Sequence, residues 1–528
     1  MVAASELTYI TNATATDMAE TIFGEGVDVI GASYTGDNRS SAIYSDPDGD
    51  AVDVLPGDTG IILSTGFATR FTNSSGDSNQ STSVSGNTTG QNNNPDFNAV
   101  AGRSTFDASY LDVSFTSDGD AITMQFVFSS EEYPEYTNSI YNDVVAVWIN
   151  GTYVPMSVGN GNTSVTNVND ATTPNLYVDN TQDQFNTEMD GFTVTMSLTI
   201  PVIPTTDPND PQVNTIRIGI ADASDSAYDS NVLIAADSVQ SVLVAGDDDL
   251  TIGTDTTKSF DVLANDTSVN GGVEVTHING IEVDPGDTVI LNTGQEITLN
   301  SDFTFTVESG PDESDVVFTY AVVDDDGVTD TAFVNLETIP CFVSGTLLLT
   351  PEGEKRIDDL EPGDLVITHD AGPQPIRWIG SRTMQAKGKF APIMITDGAL
   401  GDHRQLLVSP QHRVLIRDTL SELLFGESEV LVSAKHLVND RSIRPMEGGF
   451  VTYVHLLFDS HQVVFSEGLA TESFLPGSQT NDCFEEAVLE EICEIFPELN
   501  PDTGDGYSPS ARRTLRAYEA QVLMQGAA

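Results

Sequence analysis

Short stretches in which apolar and polar residues alternate dominate the first 340 residues and constrain the fold most. In YLDVSFTSDGDAITMQFVFSS the alternation predicts one buried face, made of Leu111, Val113, Phe115, Ile122, Met124, Phe126 and Phe128. FTVTMSLTI, NTIRIGIADA and NVLIAADSV predict further short strands, separated by loops rich in Asn, Asp, Gly and Thr. Because no segment here has a helical period over a useful length, we expect residues 1–245 to form a large β-sandwich.

A second, smaller β-sandwich is predicted for residues 246–340. The alternation of Phe318, Tyr320 and Val322, followed by Ala332, Val334 and Leu336, fits strands that bury one face. Between the strands of the first sandwich, residues 72–98 are rich in Ser, Asn and Gly. We expect this insert to be a long surface loop or a locally disordered one.

Charge is distributed unevenly along the chain. The 528 residues carry 81 acidic and 20 basic side chains, and residues 1–340 hold 53 of the acidic but only five of the basic ones. Such a surface repels phosphates and anionic membranes, so we expect no nucleic-acid partner. No run of about 18 apolar residues predicts a membrane span, and MVAASELTYITNATA lacks the features of a conventional signal peptide.

Acidic side chains also crowd one loop without a basic neighbour. Glu131, Glu132 and Asp143 lie close in sequence after an apolar strand, and no Lys or Arg occurs between Arg103 and Arg217. Carboxylates so close together repel one another unless a cation intervenes, and Ca²⁺ prefers oxygen ligands. These three residues are therefore the candidate Ca²⁺ ligands, and the alternative is a solvated acidic loop.

Cys341, the first cysteine of the chain, lies where the strongly acidic part of the chain ends. Six of the seven histidines lie between His369 and His461. Breaking a peptide bond by acyl shift needs a thiol next to the scissile carbonyl, a proton donor for the departing nitrogen and donors for the oxyanion. A nearby histidine can exchange protons with a thiol close to neutral pH. The other cysteines, Cys483 and Cys493, flank a predicted helix too long for a disulfide, so we expect both to be reduced.

The front of the chain resembles two families. SSEEYPEY followed by YND, within residues 8–245, resembles the choice-of-anchor L domain, and residues 246–340 resemble a cadherin-like or immunoglobulin-like repeat. The resemblance implies a secreted or cell-surface bacterial protein that adheres to an extracellular ligand or surface, with no established catalysis in these domains.

From Cys341 the chain resembles the Hint (hedgehog/intein) self-processing domain. The motifs are CFVSGT with the later LEPGDLV, then LLVSPQHRVLI, then HLLFDSHQVVFSEG. The resemblance implies that Cys341 attacks the peptide bond after Pro340 and that His412 contacts the scissile nitrogen. It also implies that Ser409 orients this group or the oxyanion, and that Asp459 and His461 form the later Asp-x-His motif.

Departures from the family narrow the expected reaction. LATESF stands where an intein carries His-Asn, which argues against splicing. Residues 371–389 contain no Asp or Glu, which argues against hedgehog-type transfer to a sterol. Pro340 supplies a hindered acyl group. Water or an amine is then the expected acceptor.

The sequence thus predicts a mostly β, multidomain protein. Its parts are a choice-of-anchor L-like sandwich (residues 1–245), a cadherin/Ig-like spacer (246–340), an all-β Hint domain (341–480) and a tail of two helices packed on the Hint domain (481–528). The Hint domain would release or transfer the front modules without a cofactor, while Ca²⁺ would bind the front modules. The alternative is a non-catalytic adhesion protein with an inactive Hint fold as its end-cap.

Overall fold

The computed structural model divides the chain into two compact units. The first comprises Met1–Asp248, Ser259–Val307 and Val316–Asn335, and the second comprises Asp249–Lys258, Glu308–Asp315 and Leu336–Ala528. The structure describes residues 5–75, 78–79, 83–137, 139–158, 161–207, 209–251, 257–309, 316–337, 341–386, 391–418, 421, 427–439, 441–475, 495–496, 507–508, 510–515, 520 and 523.

Two antiparallel sheets form the large sandwich in the first unit. In spatial order, one sheet contains Thr8–Ile10, Ser41–Ser45, Thr59–Ser64, Ser230–Ala235, Gln125–Ser130, Gly191–Thr193 and Tyr177–Asp179, with Met196–Ser197 paired to Gln125–Ser130. The other contains Val27–Thr35, Thr105–Ser117, Asn214–Ala223, Val144–Ile149 and Thr152–Val154. The short pairs are Ala121–Ile122 with Ile200–Pro201, and Ser157–Val158 with Gly161–Asn162.

The predicted apolar face lies in the core of this sandwich. All seven residues from Leu111 to Phe128 that the alternation assigns to one face belong to a single buried cluster. The helix Ala15–Ile22 adds Met18, Ala19 and Ile22 to the same cluster. Thr14 and Asp17 begin it with a capping box, in which each side chain accepts a hydrogen bond from the other's main-chain N–H. Two sheets packed face to face therefore bury the alternating strands, as the sequence predicts.

The Ser/Asn/Gly-rich insert is more closely packed than the sequence suggests. Its described part contains buried residues, including Val84 and Thr88, so it is not simply a surface loop. The side chain of Asn94 accepts hydrogen bonds from Asp96 and Phe97 and so caps the helix Pro95–Ala101. Polar side chains that satisfy main-chain groups explain why a polar composition is compatible with burial here. Short 3₁₀ turns occur at Val52–Val54 and Ala68–Arg70.

Most of the second β region, Ser259–Val307 and Val316–Asn335, belongs to the same compact unit and packs on the large sandwich. Phe333 is part of the sandwich core, and the Ser197 hydroxyl donates to the buried carboxylate of Asp330 at 3.1 Å. Gln125 Nε2 donates to the carbonyl oxygen of Thr329 at 2.8 Å. Its strands are Leu243–Val244, Asp248–Thr251, Thr257–Phe260, Thr267–Ser268, Val273–Ile278, Ile281–Glu282, Thr288–Ile290, Glu296–Leu299, Phe305–Glu308, Val316–Asp324 and Thr329–Glu337.

The second unit contains two antiparallel sheets whose strands differ in length. One has the order Trp378–Gln385, Phe450–Leu457, Phe342–Val343, Leu406–Val408, Ile393–Ile395 and Ile443–Pro445. The other runs Gly353–Arg356, Leu347–Thr350, Val463–Ser466, Leu469–Glu472, Arg413–Arg417 and Glu429–Ser433, with Leu365–Thr368 and Gly372–Pro375 attached at Val463–Ser466. The 3₁₀ turns are Ile357–Asp359 and Ala434–Leu437.

The predicted tail helices lie largely outside the described residues, and so do Cys483 and Cys493. In the stretch predicted to begin the second helix, the main chain is extended: Leu431 donates to the carbonyl of Arg513 and accepts from the N–H of Leu515, both at 2.8 Å. Leu515, Ala520 and Leu523 join the apolar cluster of this unit. Within the described part of the chain, no helix is long and apolar enough to span a membrane.

The contact of Phe333 with the large sandwich generates a prediction. Phe333→Ala should lower the free energy of unfolding of the first unit by about 3–5 kcal/mol, because it removes a buried aromatic ring. Thermal unfolding of the full chain measures the effect. Val269→Ala is the control, since Val269 is 76% exposed, and its unfolding curve should match that of the wild type. Equal curves for both variants would contradict a shared core.

Candidate active site around Cys341

Strand pairing brings Cys341 next to two segments that are far away in the sequence. The short strand Phe342–Val343 lies between two others, so that Phe342 pairs with Val408 on one side and with Val454 on the other. Cys341, directly before this strand, therefore lies beside the residues that follow Val408 and Val454. The residue is 8% exposed. The thiol is thus held in the interior at the end of the sheet.

Ser409 holds the main chain of Cys341 from two directions. The N–H of Cys341 donates to Ser409 Oγ at 2.8 Å, and the N–H of Ser409 donates to the carbonyl oxygen of Cys341 at 2.9 Å. This N–H belongs to the peptide bond between Pro340 and Cys341. A hydroxyl therefore contacts the nitrogen that would leave in an acyl shift at this bond.

His412 follows Ser409 by one tight turn and is fully enclosed. Its N–H donates to the carbonyl of Ser409 at 3.1 Å, and its ring packs edge-on against Phe342 with 4.4 Å between centroids. Neither ring nitrogen has a hydrogen-bond partner among the described residues. Burial lowers the pKa of His412 to about 4; Glu472 opposes this change, and Arg413 adds to it. The imidazole is therefore neutral near pH 7.

His455 is the functional candidate that the sequence did not single out. It follows Val454 in the strand Phe450–Leu457, and its Nε2 lies 3.3 Å from the sulfur of Cys341. The ring is buried and packs edge-on against Phe474 with 5.6 Å between centroids. Its position opposite Cys341 depends on the register of two strands about 110 residues apart, and no local motif reveals that register. An imidazole in contact with a thiol can accept its proton.

The two members of the predicted Asp-x-His motif occupy different surroundings. His461 is buried; its Nδ1 accepts from the N–H of Ala511 at 3.0 Å, so Nε2 carries the proton and faces the carbonyl of Ser473 at 3.1 Å. Asp459 is half exposed and forms a two-pronged ion pair with Arg377, each contact 2.7 Å long. The structure thus directs the Asp459 carboxylate to a surface arginine and not to Cys341.

A buried carboxylate, Glu472, connects the strands behind the site. It accepts from the N–H of Arg413 at 2.9 Å and lies 3.3 Å from the Arg413 guanidinium and 3.4 Å from His461 Nε2. Burial alone would raise the pKa of Glu472, but Arg413 and His461 lower it to about 2. The ion pair fixes the residue after His412. Glu472 occurs in LATESF, whose sequence shows no sign of this role.

The predicted Ca²⁺ ligands are all buried, but they do not share one set of contacts. Asp143 accepts from the N–H of Ala223 at 2.9 Å and from the hydroxyl of Ser230 at 2.7 Å, and its own N–H approaches Glu132 at 3.4 Å. Burial raises the pKa of Glu132 and that of Asp143. Glu131 instead interacts with Asp190, Glu188 and Asp229. Among the described residues, no three His, Cys, Asp or Glu side chains are arranged to hold a metal ion.

Solved structures similar to part of this chain include the gp41-1 intein (14% identity, 25% of this chain and 97% of that one, TM-score 0.17). They also include the MchDnaB-1 intein (11%, 25% and 98%, 0.17) and the Msm DnaB1 intein splicing domain bound with zinc (12%, 25% and 98%, 0.16). These scores are too low for any functional inference. The search of curated proteins found no match.

Family models match consecutive parts of the chain. The model of the choice-of-anchor L domain matches residues 6–240, that of the bacterial Ig domain matches 240–337, and that of the Hint domain matches 340–478. The order is the one that the sequence motifs predict. The chain is therefore a multidomain protein in which a choice-of-anchor L domain and a bacterial Ig domain precede a domain of the Hint family.

Proposed function

We propose that the Hint domain cleaves its own chain by moving the acyl group of Pro340 from the nitrogen of Cys341 to its sulfur. Water or an external amine then takes the acyl group, which releases or transfers residues 1–340. The observation that carries the proposal is the pair of contacts at Cys341. The scissile nitrogen bonds to Ser409 Oγ at 2.8 Å, and the thiol lies 3.3 Å from His455.

The first step needs a base at the sulfur. His455 Nε2 accepts the proton of the thiol, and the thiolate attacks the carbonyl carbon of Pro340 to form a tetrahedral intermediate. A free thiol has a pKa of about 8.5, and an adjacent imidazole allows a useful fraction of it to ionise near neutral pH. The low exposure of Cys341 keeps bulk water from solvating the thiolate, which favours attack on the neighbouring carbonyl.

The second step needs a proton at the nitrogen. As the intermediate collapses, the carbon–nitrogen bond breaks, its electron pair stays on the Cys341 nitrogen, and that nitrogen takes up a proton to become an amine. The thiol released one proton and the nitrogen gains one, so the shift is neutral overall. His412 starts neutral because of its low pKa, so the proton that it delivers to the nitrogen is the one that His455 took from the thiol and passes on to it. Ser409, already bound to the nitrogen, orients it for protonation.

The last step determines the product. Attack by water on the thioester gives a fragment of residues 1–340 with a carboxylate end, and attack by an amine gives an amide; both restore the thiol. The sequence LATESF, without the His-Asn of inteins, favours these outcomes over splicing. Because Glu472 of this segment pairs with Arg413, the residue after His412, we assign it a positioning role.

The domains in front of the bond would be the delivered part. A choice-of-anchor domain suggests an extracellular or surface location. We assign to residues 1–340 the binding of an extracellular ligand or surface, and to the Hint domain the control of whether they stay attached. If the Hint domain is inert, it remains a stable end-cap on an adhesion protein, and the experiments below distinguish the two.

The cleavage itself is the first prediction of this proposal. Purified full-length protein treated with hydroxylamine or a strong thiol should yield a fragment of residues 1–340, detected by intact mass over hours. Cys341→Ala should abolish it, because no other thiol adjoins the bond. Cys483→Ser and Cys493→Ser should cleave like the wild type. Wild type that stays at full mass, or Cys341→Ala that cleaves equally fast, would contradict the proposal.

Two further variants test the groups that we propose act on the scissile nitrogen. His412→Ala should slow cleavage by about 10²–10⁴-fold, the usual contribution of a positioned acid or base. Ser409→Ala should have a smaller effect, because water can replace one hydrogen bond of a hydroxyl. His369→Ala, a histidine paired with Asp370 at the surface, is the matched control and should leave the rate unchanged. A His412→Ala rate equal to that of the control would remove His412 from the mechanism.

A separate prediction assigns His455 to the sulfur. In a background of Cys483→Ser and Cys493→Ser, Cys341 is the sole thiol, and its alkylation by iodoacetamide reports its ionisation. His455→Ala should slow alkylation at pH 7 by about tenfold, the effect of a one-unit rise in thiol pKa. His412→Ala should slow cleavage but leave alkylation unchanged. The reverse pattern, or no change in His455→Ala, would show that His455 is not the base.

A further inference from the structure

Three carboxylates lie in one row at the ends of neighbouring strands, in one sheet of the large sandwich. Ser130 pairs with Gly191 on one side and with Ser230 on the other. The strands are antiparallel, so Glu131, which follows Ser130, lies between Asp190 and Asp229, which precede the other two. The N–H of Glu131 donates to the carbonyl of Asp229 at 3.2 Å, which shows that the pairing continues here. Side chains directly opposite in such strands share a face, and like charges there repel.

The central carboxylate of this row is buried without partners. Glu131 is 1% exposed, and neither of its carboxylate oxygens has a hydrogen-bond partner among the described residues. The same holds for Oδ2 of Asp229, which is 3% exposed, and for the amide oxygen of Asn79. Asn79 is tied to the row, because its Nδ2 donates to Asp190 Oδ1 at 2.8 Å. Four buried oxygens in one neighbourhood thus lack a donor.

The electrostatics of the row need a positive partner. Burial raises the pKa of Glu131 to about 9, and the charges of Asp190, Glu188 and Asp229 add to the effect, whereas the nearby N–H of Val84 opposes it. Burial raises the pKa of Asp229 to about 6, although the N–H of Gly86 and the charge of Arg70 act in the opposite direction. A buried carboxylate among other carboxylates is either protonated or bound to a cation.

We propose that this row binds one Ca²⁺ ion through the carboxylates of Glu131 and Asp229 and the amide oxygen of Asn79. Ca²⁺ accepts six to eight oxygen ligands, including amide and main-chain carbonyl oxygens and water, so two carboxylates suffice. This agrees with the absence of three converging acidic, His or Cys side chains in the described part of the chain. The site differs from the one that the sequence predicts, because Glu132 and Asp143 face other partners.

Calcium binding to the full-length Cys341→Ala protein tests the proposal, since that variant keeps the chain in one piece. Calorimetric titration with CaCl₂ should show a binding site. Ca²⁺ at 100 times the dissociation constant should raise the unfolding midpoint of this unit by about 5–10 °C relative to EGTA. Glu131→Gln, which keeps the size but removes the charge, should weaken binding at least about tenfold.

Two variants with the same Glu→Gln substitution serve as controls. Glu135→Gln changes an exposed residue in the same loop, and Glu132→Gln changes the neighbouring buried acid. Both should keep the full response to Ca²⁺. If Glu132→Gln loses the response and Glu131→Gln keeps it, the site lies at Glu132 and Asp143 and the proposal is wrong.

The proton is the competing explanation for Glu131. If Glu131 is simply protonated, wild type has the same unfolding curve in EGTA and in millimolar CaCl₂, and Glu131→Gln is at least as stable as wild type. That result overturns the proposal. If Glu131→Gln does not fold, Asp229→Asn provides the same test, because its Oδ1 can still accept the N–H of Gly86. Retention of full Ca²⁺ affinity in Asp229→Asn would likewise overturn it.

Discussion

The pairing of the two-residue strand Phe342–Val343 with strands on both sides is the constraint on which the candidate active site depends. Phe342 opposite Val408 positions Ser409 on the nitrogen of Cys341, and Phe342 opposite Val454 positions His455 on its sulfur. A shift of either register by one residue would turn the neighbouring side chain to the other face. Groups from three distant parts of the chain therefore meet at one peptide bond through main-chain geometry alone.

The alternation of apolar and polar residues predicts which side chains are buried, but the sequence does not predict the register in which the strands pair. The face from Leu111 to Phe128 follows from a period of two and is buried as expected. His455 and Glu472 could not be identified from the sequence, because each contacts a residue on another strand. Only the pairing of the strands brings these residues together. Glu131 and Glu132 also face different partners, since Glu131 lies beside Asp190 and Asp229 whereas Glu132 approaches the N–H of Asp143, and grouping them by closeness in sequence overlooked this.

The two units manage buried charge differently. Behind the Cys341 site, Glu472 is compensated by Arg413 and His461, and its pKa falls. In the first unit, burial raises the pKa values of Glu131, Glu132 and Asp143, because few basic side chains are present to oppose the effect. With five basic residues against 53 acidic ones, the front of the chain cannot pair its acids internally. It must leave them in water, protonate them or supply a cation from outside.

Burial also shapes the chemistry proposed for Cys341. A neutral His412 with a pKa near 4 carries no acidic proton at rest, so in the proposed reaction it can protonate the scissile nitrogen only after it has received the proton that the thiol gives up. Departure of the nitrogen is thereby linked to formation of the thiolate, and premature protonation of the amide is avoided. In the proposed reaction, the enclosure that lowers this pKa would also slow the attack of water on the thioester. Slow hydrolysis would leave time for an external amine to determine the product.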